Sequence, residues 1–248
     1  MKWEKAEVEL IEKYFKSSLS ELLLFNKILA INPNRTYGAI LRKIYEYKEK
    51  GYAKQIHLKK LRIGYLDLEC TGLQANFAHI LSWYIKVKNK NKVYYSVITK
   101  KEIFDGDFDK RLVKELLEAF EHFDVLYTHY GSDYRFDVPF LRTRAFRHGL
   151  ESKLPRYMEK FVLDTYPIAR AKLKLHSNRL DSIGDALNIT GIKKTPLSPS
   201  IWEQAKIGNS KALDYVKKHN RHDVILLECI HKKLSIIENP IISRFRSI

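Results

Sequence analysis

Residues 65–73 of this 248-residue chain read YLDLECTGL, an apolar run that contains two carboxylates. Alternate residues of a β-strand project to the same face, so Asp67 and Glu69 point together while Leu66 and Leu68 face the other way. Two adjacent carboxylates repel each other and raise each other's pKa unless a cation joins them. Carboxylate oxygens favour a divalent metal, and Gly72 lets the backbone turn and a ligand approach closely. A strand end that runs into solvent is the alternative interpretation of this pattern.

The chain on either side of this strand predicts an α/β fold. Runs rich in Ile, Leu, Val and Tyr are followed by segments in which apolar residues recur at helical spacing. Strands are expected over residues 61–69, 78–88, 92–100 and 125–129 and just before Asp164, and helices over 108–123, 138–148 and 211–233. Three antiparallel strands followed by alternating helix and strand favour a mixed sheet that is flanked by helices.

The first part of the chain has a different pattern, and we expect two domains, residues 1–60 and residues 61–248. The apolar residues of the first segment are spaced to share one helical face: Trp3, Val8, Ile11 and Phe15. Ser18 with Glu21 is typical of a capping box that starts a second helix, and a third helix is expected over residues 36–50. The first domain is therefore expected to be a small all-α module of three helices.

The chain carries 45 Lys and Arg residues against 29 Asp and Glu residues, a net charge of +16. This excess predicts a polyanionic partner, most often nucleic acid, with a basic membrane-surface protein as the competing interpretation. No apolar run approaches the ~18 residues of a spanning helix, and the N-terminus lacks the apolar stretch of a secretory signal, so no membrane segment is expected. Two cysteines give no disulfide framework, which favours a cytoplasmic compartment, with a nucleoid-associated or nuclear location also open.

Two further segments place single carboxylates where helices are expected. Asp137 lies in the segment FDVPFL, two residues before a proline that suits the first turn of a helix. An ordinary helix N-cap is the alternative role for Asp137 when that residue is considered alone. Asp223 lies in the segment HNRHDV, one helical turn after His219, so these two side chains share a face.

Together, the three segments resemble the motifs of the DEDD-type, or DnaQ-like, 3′–5′ exonucleases, a branch of the ribonuclease H-like superfamily. The segment DLECTGL is similar to the first motif, with Cys70 where the family usually has a second Thr, and the segments around Asp137 and Asp223 are similar to the second and third. The resemblance covers about residues 61–235. The segments FVLDTY and SNRLDSI also resemble parts of family-B polymerase proofreading domains and YprB-like nucleases. A ribonuclease H-like mixed sheet flanked by helices is the fold that the resemblance implies.

The resemblance also implies a phosphodiester hydrolase that acts on nucleic acid, DNA more than RNA, at single-stranded or fraying 3′ ends. The family pattern assigns four metal ligands, which would hold two Mg²⁺ or Mn²⁺ ions: Asp67, Glu69, Asp137 and Asp223. By this analogy Asp67 bridges the ions, and Thr71, Gly72 and Leu73 contact the substrate strand. Asp164 is expected to serve structure near the site rather than to bind metal.

The third motif departs from the family at the residue that assists the attacking water. The family has a Tyr four residues before the last Asp, or a His five residues before it, and this chain has His219 in the Tyr position. A histidine there could orient or deprotonate water, which makes His219 the fifth expected catalytic residue. A structural histidine is the alternative role for His219, whereas His222 is expected to be a surface or packing residue.

The N-terminal module resembles a Myb/SANT-like helix-turn-helix in the segments WEKAE and RTYGAI. The resemblance places nucleic-acid contacts on or beside the recognition helix: Arg35, Thr36, Tyr37, Arg42 and Lys43. A helical extension that packs on the rest of the chain, with its charge solvated, is the alternative interpretation.

Three functions follow from these patterns. A metal-dependent 3′–5′ exonuclease is the leading one, because all four carboxylates are present and the Asp-x-Glu pair is typical of that branch. A non-catalytic nucleic-acid-binding regulator on a ribonuclease H-like scaffold and an endonuclease of the same superfamily are the alternatives.

Overall fold

The structure is a computed structural model, and it describes residues 3–16, 21–49, 61–155, 161–192, 196 and 198–237. The chain divides into two units, Met1–Leu61 and Arg62–Ile248. The capping box expected at Ser18 lies outside the described residues.

The first unit contains three helices whose apolar sides meet. The helices are α1 (Lys5–Lys16), α2 (Glu21–Ile31) and α3 (Tyr37–Glu49), and Pro33 follows α2 because proline cannot continue a helix. Their buried side chains form one cluster: Ile11, Tyr14, Phe15, Leu24, Ile28, Ile40, Ile44 and Tyr47. The predicted N-terminal helical region is confirmed.

A buried ion pair joins α1 to the segment that precedes α3. Glu7 accepts two hydrogen bonds from Arg35, each of 2.7 Å, in a bidentate arrangement. Arg35 Cζ also lies 4.0 Å from the centre of the Trp3 ring. Because the Arg35 side chain is only 4% exposed and Glu7 is fully buried, this pair belongs to the interior of the unit.

The second unit contains one mixed sheet with the strand order β3-β2-β1-β4-β5. The strands are β1 (Ile63–Cys70), β2 (Ile80–Val87), β3 (Val93–Val97), β4 (Val125–Thr128) and β5 (Phe161–Asp164). The first three strands pair in antiparallel fashion, whereas β4 lies parallel to β1 and β5 lies parallel to β4. The carboxyl ends of β1, β4 and β5 therefore lie at one edge of the sheet.

Helices flank this sheet on both faces. They are α4 (Lys100–Asp105), α5 (Lys110–Phe120), α6 (Asp137–Arg147), α7 (Thr165–Lys172), α8 (Leu180–Ala186), α9 (Pro199–Lys206) and α10 (Ser210–Leu234), with a 3-10 turn at Glu151–Lys153. The predicted α/β fold class, a mixed sheet flanked by helices, is confirmed. In the described part of the chain, no helix is both long enough and apolar enough to cross a bilayer.

The segment after β3 differs from the prediction, which continued that strand to residue 100. The strand ends at Val97, and α4 begins at Lys100. Thr99 Oγ1 accepts a hydrogen bond of 3.2 Å from the backbone N–H of Glu102, and the Glu102 carboxylate accepts one of 2.8 Å from the backbone N–H of Thr99. This capping box starts the helix, and the β-rich composition just before it obscured the signal.

The two faces of the sheet bury different residues of β1. Leu66 and Leu68 pack in the cluster that contains the apolar side of α5. Tyr65 packs on the opposite face, against α10. Because side chains alternate along a strand, Asp67 and Glu69 share the α10 face with Tyr65.

A β-bulge lies beside Glu69. The register pairs Glu69 with Ser82 but Cys70 with Ile80, so Leu81 is an extra residue on β2. A bulge bends its strand and increases the local twist, and bulges are common next to active sites. The end of β1 that carries the acidic pair is therefore shaped by its neighbour β2.

A buried ion cluster connects α5, α6 and the loop after β1. Asp109 accepts a hydrogen bond of 2.6 Å from Arg144 Nη2, and His148 Nε2 lies 2.7 Å from the same carboxylate. Arg144 Nη1 also donates a hydrogen bond of 3.1 Å to the carbonyl of Ala75, which follows β1. Asp137, an expected ligand, is the first residue of α6. The cluster therefore holds α6 against the loop that follows β1, the strand that carries Asp67 and Glu69.

Replacing Asp109 by Ala should lower the free energy of unfolding by about 3–5 kcal/mol, because the substitution leaves a buried arginine without its anion. The Arg144 side chain is only 3% exposed. Urea denaturation followed by tryptophan fluorescence measures the change. The control is Asp124→Ala, which breaks the exposed Arg62–Asp124 pair and should cost about 1 kcal/mol or less. Equal losses in the two variants would contradict the structural role of the cluster.

Candidate metal centre

β1 and α10 carry four of the expected residues, and three of the four form a close group. Asp67 and Glu69 lie on β1, and His219 and Asp223 lie one turn apart on α10. One ligand atom from each of Glu69, His219 and Asp223 lies within 4.8 Å of the others. His219 Nε2 is 3.6 Å from Glu69 Oε1 and 3.4 Å from Asp223 Oδ2. The imidazole therefore lies beside both carboxylates.

Asp137 reaches the same site from the first turn of α6, directly after the loop that follows β4. This loop is closed by a hydrogen bond of 3.1 Å from the backbone N–H of Phe136 to the carbonyl of Tyr130, and by one of 3.0 Å from Val138 to Gly131. A methyl group at Gly131 would lie 2.1 Å from Asp137 Oδ2. The missing side chain at Gly131 makes room for the Asp137 carboxylate.

Asp137 is not an ordinary helix cap. The N-cap position of α6 is occupied by Phe136. Within the described residues, the buried Oδ2 atom of Asp137 has no hydrogen-bond partner. An unsatisfied buried acceptor costs about 1–3 kcal/mol, so such atoms are rare unless another group satisfies them. A donor set of carboxylate oxygens with one imidazole fits a divalent cation in that role.

Burial and mutual repulsion raise the pKa values of these carboxyl groups. Burial raises the pKa of Asp67 well above its ordinary value, and the charges of Glu69, Asp223 and Asp137 raise it further. Burial is also the largest cause of the raised pKa of Glu69, followed by the charges of Asp223 and Asp137. The charges of Asp137 and Asp223 thus act on both carboxylates of β1, and a bound cation would relieve this repulsion.

The metal-free protein should lose stability as Asp223 ionises. Burial raises the pKa of Asp223 from 3.8 to about 6, although His219 opposes the shift. The folded state then binds a proton more tightly than the unfolded chain, so ionisation costs stability as the pH rises from about 4 to about 6. In chelator near pH 8, the wild type should be less stable than Asp223→Asn by on the order of 2 kcal/mol.

Thermal denaturation of both proteins over the pH range measures this difference. The stability difference between the wild type and Asp223→Asn should shrink as the pH is lowered toward about 5, and saturating Mg²⁺ should reverse its sign. A difference that does not depend on pH would show that Asp223 is not strained in the folded protein.

Comparison with known proteins identifies the family. A profile of the RNase H superfamily matches residues 64–235. The chain belongs to the RNase H superfamily. A DNA polymerase from Methanocaldococcus jannaschii is 29% identical over 141 residues, which covers 48% of this chain and 8% of the polymerase. The ribonuclease H-like part of the resemblance is thus confirmed, and the chain matches only a small part of that polymerase.

In this RNase H superfamily site, Trp202 of α9 is a neighbour that the sequence did not predict. Interaction with the Trp202 side chain lowers the pKa of the Glu69 carboxyl, against the larger effect of burial. The Trp202 ring also lies edge-to-face with the His219 ring, with 5.3 Å between the ring centres. Trp202 therefore lies beside an expected metal ligand and the expected catalytic histidine.

Asp164 shapes the loop that precedes Asp137. Its Oδ1 atom accepts hydrogen bonds of 2.9 Å from the backbone N–H groups of Tyr130 and Tyr166, and its Oδ2 atom accepts one of 3.2 Å from that of Ser132. The carboxylate thus caps α7 and holds the loop after β4 at the same time. These contacts are structural, as the sequence led us to expect.

The residues expected to contact substrate, Thr71, Gly72 and Leu73, form the loop directly after β1. Thr71 Oγ1 accepts a hydrogen bond of 3.0 Å from the backbone N–H of His79, and the Leu73 side chain is 81% exposed. A methyl group at Gly72 would meet only Ala78, at an ordinary contact distance of 3.5 Å. The protein itself does not require glycine here, and a role in substrate contact stays a prediction.

Arg35 of the first unit does not lie where a nucleic-acid contact was expected. We expected Arg35 to contact nucleic acid, but its guanidinium is bound to Glu7 and covered by Trp3. A buried arginine that neutralises a buried carboxylate is not available to phosphate, because releasing it would leave that carboxylate unpaired. We therefore leave Arg35 out of the proposed contacts.

The other four expected contacts lie at or near the surface of α3. Thr36 and Arg42 are exposed, and the Tyr37 side chain is 48% exposed. Thr36 Oγ1 accepts a hydrogen bond of 3.2 Å from the backbone N–H of Ala39, which caps the helix. Lys43 is half-buried and forms a 2.7 Å ion pair with Glu46. Arg42 is consequently the best placed of these side chains to meet a phosphate.

Proposed function

We propose that the chain is a metal-dependent 3′–5′ exonuclease that hydrolyses phosphodiester bonds of single-stranded or fraying nucleic acid, DNA in preference to RNA. The observation that carries the proposal is the cluster of Glu69, His219 and Asp223, whose ligand atoms lie within 4.8 Å of one another. Asp67 and Asp137 interact electrostatically with this cluster, and the buried Oδ2 atom of Asp137 has no partner among the described residues. RNase H superfamily membership and the similarity to a DNA polymerase support a nuclease that acts on DNA.

The residues of the site have distinct roles in this proposal. The four carboxylates would hold two divalent cations, Mg²⁺ or Mn²⁺: Asp67, Glu69, Asp137 and Asp223. When bound, such ions neutralise charge on phosphate oxygens and acidify water. His219, with Nε2 at 3.4 Å from Asp223 and 3.6 Å from Glu69, is positioned to orient water or to accept its proton. The Trp202 ring packs edge-to-face against the His219 ring.

The charge of the chain supports a polyanionic substrate. The net charge is +16, while the acidic groups of the site are half-buried or buried in the second unit. A basic surface attracts the phosphate backbone, and binding should weaken steeply as salt is raised. Cys70 and Cys229 are not joined in a disulfide. A reducing, cytoplasmic-type compartment stays part of the proposal.

Incubation with 5′-labelled single strands of DNA and RNA tests the proposal. With Mg²⁺ or Mn²⁺, we expect a ladder of products that shortens from the 3′ end, and with chelator we expect no product. A circular single strand of DNA is the matched control, because an exonuclease needs an end. Cleavage of the circle would favour an endonuclease, and binding without any metal-dependent product would favour the non-catalytic regulator.

We also propose that the first unit is a helix-turn-helix-like module that binds nucleic acid. Residues 1–60 contain 13 basic and 7 acidic residues, a net charge of +6. α3 follows a short turn after α2, and its exposed residues Thr36, Tyr37 and Arg42 suit phosphate or groove contacts. The burial of Arg35 supports this arrangement indirectly, because the Arg35–Glu7 pair ties the turn to α1.

Replacing Arg42 by Gln should weaken nucleic-acid binding and make it less sensitive to salt. Loss of one phosphate contact reduces the slope of log affinity against log salt by about 0.7–0.9. Fluorescence anisotropy over a salt series measures the slope, and the rate at saturating substrate should stay unchanged. Lys5→Gln, on the exposed start of α1, removes the same charge and is the control. Equal slopes for the two variants would contradict a specific contact by Arg42.

A further inference from the structure

An aromatic and cationic cluster lies at the same sheet edge as the carboxylates. Tyr130 follows β4 and Tyr166 follows the end of β5, and both strands run parallel to β1. Arg135 lies in the loop between Tyr130 and Asp137. The three side chains therefore lie near the sheet edge at which β1 carries its acidic pair.

The cluster combines two aromatic rings with one guanidinium. The rings of Tyr130 and Tyr166 pack edge-to-face, with their centres 4.8 Å apart. Arg135 Cζ lies 5.2 Å from the centre of the Tyr130 ring and 5.4 Å from that of the Tyr166 ring, within the range of a cation–π contact. Tyr130 is 46% exposed and Arg135 is exposed, so both can reach a ligand.

Charge at the cluster is not neutralised by the acidic residue nearest in sequence. Asp133, two residues before Arg135, forms its ion pair with Arg142 of α6. In the described part of the chain, no carboxylate forms an ion pair with Arg135. The cluster therefore presents a positive charge together with an aromatic surface.

The backbone holds Tyr130 in a conformation that disfavours it. The φ angle of Tyr130 is 63°, in the left-handed region that a bulky side chain rarely adopts. The hydrogen bond of 2.9 Å from its N–H to Asp164 and the closed loop back from Phe136 maintain this conformation. Strained residues of this kind cluster at functional sites. Glycine would fit the backbone better, so the tyrosine ring is retained against a local cost.

We propose that Tyr130, Arg135 and Tyr166 form a stacking site for one nucleobase of a single strand whose end lies among the carboxylates. An exposed aromatic ring stacks on any base, and an adjacent arginine adds a cation–π contact and a donor for phosphate. The next residue after Tyr130, Gly131, contacts Asp137 directly, so the stacked base lies close to the cleaved bond. This inference rests on the proposed function, because it requires that the substrate of the exonuclease site has an unpaired base near its end.

The test measures binding to a single strand in which 2-aminopurine replaces each of the last four bases in turn, with chelator present to prevent hydrolysis. Stacking on an aromatic ring quenches this base. We expect quenching at one position, and we expect Tyr130→Gly to abolish it and to weaken binding by about tenfold to a hundredfold. Because glycine suits a φ of 63°, thermal denaturation should show that Tyr130→Gly is at least as stable as the wild type. Tyr130→Phe keeps the ring and should bind as the wild type does.

Two controls separate a base contact from other effects. Tyr95 lies on the edge strand β3, and its ring is 48% exposed and in contact with Lys217. Tyr95→Ala therefore removes a ring of similar exposure and should leave quenching unchanged. A strand that lacks the base at the quenched position should bind Tyr130→Gly and the wild type equally. The same series in RNA shows whether the site distinguishes the sugar.

The outcomes distinguish this inference from the proposed function. Wild-type affinity and quenching in Tyr130→Gly would overturn the stacking site even if the wild type shortens strands from the 3′ end. An equal loss of affinity for strands with and without the base would overturn it as well. Base-dependent loss in Tyr130→Gly would support the stacking site even if no strand is hydrolysed, in which case only the nuclease proposal would fail.

Discussion

Replacing Asp67 by Ala should abolish metal-dependent hydrolysis and leave the fold intact. The pKa of Asp67 is raised by burial and by three neighbouring carboxylates, so this group belongs to the acidic site. A metal contributes several kcal/mol of charge stabilisation, and each 1.4 kcal/mol is a factor of ten in rate, so the loss should be roughly a thousandfold or more. Single-turnover hydrolysis of a 5′-labelled strand measures this loss.

The stability of Asp67→Ala separates a catalytic role from a structural one. In chelator, the substitution removes a carboxylate that its neighbours repel, so the variant should be no less stable than the wild type. Asp105→Ala, at the exposed end of α4, is the control and should keep both stability and rate. Unfolding of Asp67→Ala, or hydrolysis at the wild-type rate, would remove Asp67 from the assigned site.

The sequence predicted those pairs of site residues that lie within one strand or one helix. Alternation along one strand places Asp67 and Glu69 on one face, and one helical turn places His219 beside Asp223. Within one strand or helix, the spacing of two residues determines whether their side chains share a face. The fold class was also predictable, because it depends on the order of strands and helices. That order is unchanged when the predicted ends of an element differ from the observed ends by a few residues.

The rest of the site depends on contacts between segments that no spacing relates. Trp202 meets Glu69 and His219 only because α9 packs against α10. Arg35 was expected to contact nucleic acid because its segment resembles a helix-turn-helix, yet it pairs with Glu7, which lies 28 residues earlier. The strained backbone of Tyr130 likewise follows from hydrogen bonds to Asp164 on the next strand. Such pairings arise from packing, and a sequence pattern does not record them.

Gly131 should be the most sensitive non-catalytic position of the site. A methyl group there would lie 2.1 Å from Asp137 Oδ2, 2.6 Å from Asp137 Cγ and 2.8 Å from Thr128 Cβ, and atoms do not approach so closely. Gly131→Ala must therefore displace the Asp137 carboxylate. A displacement of about 1 Å can cost a hundredfold in rate, and overpacking typically costs about 1–3 kcal/mol of stability. Steady-state hydrolysis and urea denaturation measure the two effects.

A double-variant cycle shows whether Gly131 acts through Asp137. Gly131→Ala should slow the wild type by about a hundredfold but should add little to the loss already caused by Asp137→Ala, since residues in contact are not additive. Gly38→Ala, where an added methyl group meets nothing within 4 Å, is the control for a glycine replacement and should leave the rate unchanged. Equal factors in both backgrounds would mean that the methyl group disturbs the loop as a whole. That result would contradict the assignment of Asp137 as a metal ligand whose position depends on Gly131.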